Sequence, residues 1–530
     1  MTRYLLSRLL RGLFSIIIVV AIVMVMIYSL LDRKSIFQMD AAWSHQKLNA
    51  KTAYEYSKWE EYGYLDYIPY SEFLTTSLKN GEITQDEYND AIKFGDTADK
   101  DSDAAKAQIG KMREKYEKDG YQFVRLPALK SGNKYKEGGR PQIFVYRDIP
   151  LINRLVNYFT GLFSVDSIYY VDGDIKNYET GETQDRGIEF TLFDPAYGGA
   201  FSPAIMGTGT QHKYLLYFDD QFPYIHQNLL QINLGKSYSI RSGVDVFDIL
   251  NQSQGSFKMS AVTYPSGHVE NSADDIHTLT YVAGSLENGT LVVKTNYVDD
   301  YTSVSTRSTG MSKLGYSFVI GLISVAIAYL LAIPLGTLMA RKKDKLIDKL
   351  GTIYIVFIIA VPSLAYIFLF KAIGYNMGLP TTFDMENPSA VMFILPIVSL
   401  ALPSVANLMK WLRRYMIDQM NSDYVKFARS GGLSEGEIFR KHVLKNAIIP
   451  IVHGIPGSVL GSLVGAIITE RVYVVPGAGN MLTKAINQYD NGVIVGMTLF
   501  YAVISVISVI LGDLLMSLMD PRISFTSKRR

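Results

Sequence analysis

The feature that most restricts this chain is Gly12 to Leu31, twenty residues without a charged side chain, followed by five more apolar stretches within the last 220 residues. A helix needs about 20 mainly apolar residues to cross ~30 Å of hydrocarbon. The later candidates span residues 314–340, 351–374, 389–409, 447–469 and 492–516, and their interiors are almost free of charge. Pro334, Pro362, Pro396, Pro403 and Pro456 fall inside them, which a packed membrane helix tolerates because its neighbours re-satisfy the freed backbone groups. The pattern predicts a membrane all-α protein of six transmembrane helices. Arg3, Arg8 and Arg11 before the first run also suit a signal peptide. That run is long for one and has no small-x-small cleavage site after it, so it reads as an uncleaved anchor.

Short loops set the orientation. Residues 1–11 hold three Lys and Arg, 341–350 five, 410–446 eight and 519–530 four, whereas 375–388 and 471–491 hold only Arg471 and Lys484. Positive loops stay inside, so both termini are expected in the cytoplasm. Composition then becomes informative. The total of 52 basic and 50 acidic side chains conceals a block, residues 32–310, with 28 Lys and Arg against 38 Asp and Glu, a net −10. An acidic block on the outside agrees with cation-rich loops on the inside. A soluble enzyme, a nucleic-acid binder and a disordered scaffold are excluded. Without cysteine there is no disulfide framework and no thiolate metal site, and the seven histidines are scattered, so no metal or other cofactor is expected.

The expected domains are residues 1–31 (cytoplasmic tip and first helix), 32–310 (extracytoplasmic) and 311–530 (helices two to six with a cytoplasmic loop at 410–446). Within the second, residues 46–120 read as helices with polar faces. Gln142–Tyr146, Ser167–Val171, Tyr214–Phe218 and Thr290–Thr295 read as strands, giving a mixed α/β domain. Two stretches beginning at Asp148 and Asp220 share an acidic-proline entry, helical amphipathic spacing and a glycine exit; they are either a duplication or two helices with the same punctuation. Leu234-Gly-Lys-Ser ends like a phosphate loop but has Leu230 where that loop needs glycine.

The loop at 410–446 is the most informative stretch. Asp423-Tyr-Val-Lys-Phe-Ala-Arg-Ser makes two helical turns, with Asn421, Ser422 or Asp423 available as a cap, and Gly431-Gly432 stops them. Ser434-Glu-Gly-Glu437 is a capping box for a second helix carrying Ile438, Phe439, His442, Val443 and Leu444. Two short helices meeting at a glycine elbow suit another protein's groove. The bland alternative is a loop that is basic merely because it is cytoplasmic.

Asp423-Tyr-Val, Ala428-Arg429-Ser-Gly431-Gly432-Leu-Ser434 and His442-Val-Leu444-Lys-Asn446-Ala-Ile-Ile-Pro450 closely resemble the coupling loop of ABC-importer permeases, in particular the dipeptide/oligopeptide branch. Against the family's general EAA-then-glycine pattern, Ala428, Gly432 and Leu444 match strictly, while Lys426, Phe427 and Lys445 depart from it. Glu470-Arg-Val-Tyr473-Val-Val-Pro476-Gly477-Ala-Gly479 resembles the family's extracytoplasmic gate loop, with Tyr473 in place of Phe. Asp520-Pro-Arg522, Ile333-Pro-Leu-Gly336 and Val361-Pro-Ser363 resemble further family segments, and Asp220–Ser237 with Gly243-Val-Asp-Val resembles the region before the second helix. Much of 32–215 has no counterpart in compact members; such an enlarged domain resembles the oligopeptide permeases of low-GC Gram-positive bacteria.

The resemblance implies the type I importer fold, a second homologous permease subunit, two cytoplasmic ABC ATPases, an extracellular lipid-anchored peptide-binding protein and an oligopeptide substrate moved across the bilayer. The chain itself would perform no covalent chemistry. Nickel or glutathione transport by the same branch, a membrane-anchored receptor, and an exporter subunit are the alternatives. Gly457, Gly461 and Gly465 recur every four residues on the fifth helix, a spacing that lets helices approach closely and reads as packing against this subunit or its partner. His453 and Asp513 read as structural.

Overall fold

The computed structural model describes residues 2–164, 231–251, 254, 311–384 and 389–519, with the backbone of short strands between 188 and 307. The first helix, α1, runs Thr2–Leu30. Small helices follow at Ala41–His45 (α2), Leu48–Glu61 (α3), Tyr70–Lys79 (α4), Gln85–Ala91 (α5) and Asp103–Lys118 (α6). The stretch expected to be helical also holds a strand, β1 (Leu65–Pro69). It pairs antiparallel with β5 (Gln142–Asp148), which pairs on its other edge with β2 (Gln122–Leu126); a hairpin, β3 (Lys130–Ser131) and β4 (Lys134–Tyr135), lies between the latter two.

Alternation along β5 explains this unit. Ile143 and Val145 face a core built from α4 to α6 with Tyr70, Phe73, Leu74 and Met112. Phe144 points the other way, into an aromatic cluster with Phe37, Trp59, Tyr64 and Tyr67. Side chains one residue apart on a strand take opposite faces, so a three-stranded sheet is buried on both sides.

After β5 comes α7 (Leu151–Thr160), as expected, and β6 (Phe163–Ser164). Its supposed duplicate is not a helix: Pro223–His226 is a strand, β10. That strand sits in a six-stranded sheet ordered β15 (Thr302–Arg307), β14 (Ile276–Tyr281), β10, β9 (Leu216–Phe218), β8 (Ala200–Gly207) and β7 (Ile188–Asp194). β11 (Gln231–Ile232) pairs with β6, and β12 (Ser260–Thr263) pairs with β13 (Val269–Ser272). Shared punctuation at the ends therefore did not mean a shared fold, because strand pairing overrides a weak local preference. The strands expected at Ser167–Val171 and Thr290–Thr295 lie outside the described residues.

The segment before the next long helix forms a tight clasp. Asp245 accepts the N–H groups of Leu234, Gly235 and Phe247 at 3.2, 3.0 and 2.8 Å, and α8 (Val246–Asn251) starts from it. The long apolar helices follow: α9 (Lys313–Arg341), α10 (Leu346–Ala360), α11 (Ser363–Asn376) and α12 (Ile394–Met420). Then come α13 (Asp423–Ser430), α14 (Glu435–Ile438), α15 (Lys445–Ala447), α16 (Ile449–His453), α17 (Ile455–Tyr473), α18 (Ala478–Asn487) and α19 (Asn491–Met519).

Among the described residues, five helices are long and apolar enough to cross a membrane: α1, α9, α12 with its preceding turn, α17 and α19. Residues 351–374 are not one straight helix, as expected from hydropathy. α10 and α11 bend by 111° across Val361-Pro362, because the proline ring pushes Val361 into extended backbone (φ −89°, ψ 129°). The stretch 447–469 is likewise interrupted near Ile448 and Gly454, before α17 begins.

Packing follows the small residues. α9 lies along α12, where a side chain on Gly336 would meet the Met409 Cα at 3.4 Å. α1 lies along α19, with Gly12 against Val506. Asp513 finds its partners on α1: it accepts from Tyr4 Oη at 2.7 Å and pairs with Arg8 at 3.0 Å.

Candidate functional site

At the foot of the frame α12 continues to Met420, eleven residues beyond its expected membrane exit, and hands over to α13 through Asn421. Ser422 occupies the cap position of α13, but its hydroxyl donates back to Gln419 O at 2.5 Å and makes no cap bond. Asp423 pairs instead with Lys426 at 2.9 Å, which holds its exposed carboxyl below the usual range.

The elbow is defined by its hydrogen bonds. Leu433 N–H donates to Ala428 O at 3.3 Å and Gly432 N–H to Arg429 O at 3.1 Å, the paired closure of a Schellman end. That closure needs a left-handed residue, and Gly432 supplies it with φ +83°. Gly431, at φ −76°, does not share the requirement. Immediately after the elbow the expected capping box is present, with Ser434 N–H and Oγ both donating to Glu437 and Glu437 N–H returning to Ser434 Oγ. These bonds to Ser434 hold Glu437 below its usual range.

Sequence reasoning missed the strap across the corner. Arg429 forms a forked pair with Glu435 at 2.6 and 3.1 Å. Both are exposed, so the pair adds little to stability and acts by fixing direction. The charge pattern alone could have suggested it.

Val425 and Ala428 from α13, with Ile438, Val443 and Ala447 from the second arm, pack against Ala340 of α9 and Leu412 and Met416 of α12. The elbow is therefore seated on two long helices. Between α14 and α15 the chain makes a π turn, Phe439–Leu444, a feature found mostly at functional sites and invisible to hydrophobic periodicity. His442 and Leu444 are half-buried there, His442 lying 6.4 Å from the ring of Tyr424. Asn446 and Pro450 are exposed. Phe427, noted in the sequence only as a departure, projects from the tip at 80% exposure. A second support, also unforeseen, is the forked pair of Arg413 on α12 with buried Asp348 on α10, at 2.5 and 2.7 Å.

The Glu470–Gly479 loop lies at the other end of α17, about 28 Å away along nineteen residues. Glu470 is buried and accepts from Ser317 Oγ at 2.6 Å and Asn480 N–H at 2.9 Å. The backbone wraps this carboxylate. A Cβ on Gly477 would stand 2.3 Å from it, and one on Gly479 would meet Ile467 at 2.6 Å. Tyr473 is buried and hydrogen-bonded with Ser399 at 2.8 Å, while Pro476 is half-buried.

Among the described residues of this chain, nothing packs against Gly457 and Gly461 as expected of that spacing. A Cβ at either meets nothing within 4 Å, because α17 turns this edge away from its neighbours. The surroundings of Gly465 and the Asp520-Pro-Arg522 segment lie outside the described residues. Among the described residues no three His, Cys, Asp or Glu side chains could hold a metal.

Residues 332–525 match the family described as binding-protein-dependent transport system inner membrane component. The oligopeptide transport system permease protein AmiC of Streptococcus pneumoniae is 33% identical over 100% of this chain and 99% of its own. The dipeptide transport system permease protein DppB of Bacillus subtilis is 32% identical over 40% of this chain and 68% of its own. A solved structure of an amino acid ABC transporter aligns with 40% of the chain and 92% of its own at 19% identity and a TM-score of 0.31, too loose a likeness to decide the fold. On full-length similarity, matched segment and apolar helices together, the chain belongs to the inner membrane components of binding-protein-dependent transport systems and is a membrane permease.

Proposed function

We propose that the chain is the permease subunit of an ABC peptide importer, taking oligopeptides from an extracellular lipid-anchored binding protein and passing them to the cytoplasm. The reading rests on one observation: the double-helix elbow of 423–446, closed by a Schellman end, a capping box and the Arg429–Glu435 strap. It presents Phe427 while its inner face is seated on α9 and α12. A lever between two sites must be a stiff element, and the closures of this elbow support reading it as one.

In this reading a second homologous permease stands beside the chain and two cytoplasmic ATPases take the two elbows, with hydrolysis confined to them. α10 and α11 together make the third of six crossings, both termini are cytoplasmic, and residues 32–310 form an extracytoplasmic domain. Its net −10 suits a basic face on the binding protein. The Glu470–Gly479 loop is the outer gate element, and the full-length likeness to a streptococcal protein supports a Gram-positive plasma membrane.

The test is purification of the chain from its native cells in mild detergent, followed by peptide uptake in proteoliposomes. Recovery with two ATPases and a second permease, and uptake of oligopeptide but not of nickel or glutathione, is the expected result. Recovery without ATPases or a second permease, or uptake of nickel or glutathione in place of peptide, would overturn this reading.

A further inference from the structure

The helix α7 has a feature that the permease reading does not use. Its buried side, Leu155, Tyr158 and Phe159, packs in one cluster with Val23, Ile27 and Tyr28 of α1. Two of its other apolar side chains, Ile152 and Val156, are 65% and 51% exposed. They stand four residues apart, hence on one face. Phe163, just past the helix, is also exposed. No acidic side chain occurs in α7, although the surrounding domain is acidic, and its single cation, Arg154, turns inward to donate to Ile149 O and Tyr64 O at 3.0 and 2.6 Å.

The depth of this helix follows from α1. At about 1.5 Å rise per residue, Tyr28 lies about 4 Å and Val23 about 12 Å below Leu31, where the apolar run ends. α7 therefore packs against the last two turns of α1, at the level of Val25, Met26 and Leu30, apolar side chains that are also exposed. An exposed apolar ridge on a helix without acidic residues, seated on the apolar end of a membrane-length helix, has the character of an interfacial helix, which sinks its apolar face about 5–10 Å into the headgroup boundary.

We infer that α7 is a membrane-surface anchor: Ile152 and Val156 enter the acyl region of the outer leaflet and tether the large domain to the bilayer. The inference rests on the proposed reading that α1 crosses the membrane with its C-terminal end outside, and not on which substrate is carried.

The absence of cysteine makes the test direct. Ile152→Cys, Val156→Cys and, as a lipid-facing standard, Met26→Cys are each labelled with an environment-sensitive fluorophore in the full chain, reconstituted with its co-purifying subunits in nanodiscs. Exposed Glu114→Cys in α6 is the aqueous standard. Quenching by acyl-chain nitroxide lipid at 152 and 156 equal to that at 26, with little quenching by aqueous iodide, is expected. Iodide quenching like that at 114 would overturn the inference by placing the ridge in water. Protection from both quenchers would overturn it by placing a protein subunit there. Agreement between 152 and 156 guards against a label that disturbs one site.

Discussion

Replacing the two glycines of the elbow separately tests what that elbow requires. Gly432 has φ +83°, and a Cβ built on it meets nothing within 4 Å. The cost of a side chain is therefore backbone strain alone, about 1–2 kcal/mol for an L-residue held in left-handed geometry. That is a 5- to 30-fold shift away from the closed elbow. Gly431 is in ordinary helical backbone, and its Cβ would sit 3.4 and 3.5 Å from the nearest atoms, ordinary contact. Gly431→Ala should therefore be silent, Gly432→Asn mild because Asn tolerates this geometry, Gly432→Asp intermediate and Gly432→Val severe. The assay is peptide taken up per ATP hydrolysed in proteoliposomes holding the purified complex. The expected order is wild type, Gly431→Ala, Gly432→Asn, Gly432→Asp, Gly432→Val, with hydrolysis persisting as uptake falls. Normal uptake per ATP in Gly432→Val, or a larger loss in Gly431→Ala, would refute the reasoning.

Three further outcomes are expected. Asp513→Ala removes the acceptor of Tyr4 and the ion partner of Arg8 and should cost about 1–3 kcal/mol; a thermal-melt cycle with Arg8→Ala should then show strong non-additivity, and simple additivity would dissolve the proposed link between α1 and α19. A Cβ on Gly492 would stand 1.8 Å from Lys236 O, so Gly492→Ala should cost on the order of 3 kcal/mol and raise amide exchange across residues 233–245, whereas unchanged exchange there would mean the clasp does not depend on that approach. In the outer domain, burial pushes the Asp101 carboxyl up, but hydrogen bonds from Arg125 and Gly95 N–H and the guanidinium charge outweigh it, leaving its pKa below the usual range. A carboxyl lowered on folding stabilises above its unfolded pKa of about 3.9 and loses that contribution as pH falls through the folded value. Amide protection of β2 and β5 should hold steady above pH 4 and decline below it, with Asp101→Asn abolishing this part of the decline.

What the sequence alone determined are the features that depend on neighbours along the chain. Hydrophobic length located the membrane frame, and the Ser434–Glu437 box and the glycine stop located the elbow, since caps and turns are satisfied within a few residues. Even there one residue of context mattered: only φ at Gly432, and not at Gly431, separates the glycine that is needed from its neighbour. Local punctuation also misled, making a helix of the segment from Asp220 that the sheet drew into β10, and hydropathy gave no sign of the bend that Pro362 puts into residues 351–374. Tertiary structure decided everything that joins distant segments. It put Asp513 beside Arg8 and Tyr4, wrapped Gly477 and Gly479 around the Glu470 carboxylate, tied Asp348 to Arg413, and left Gly457 and Gly461 facing open space. A buried charge or a bare glycine records only that something approaches closely; which segment approaches is set by packing among helices far apart in the chain.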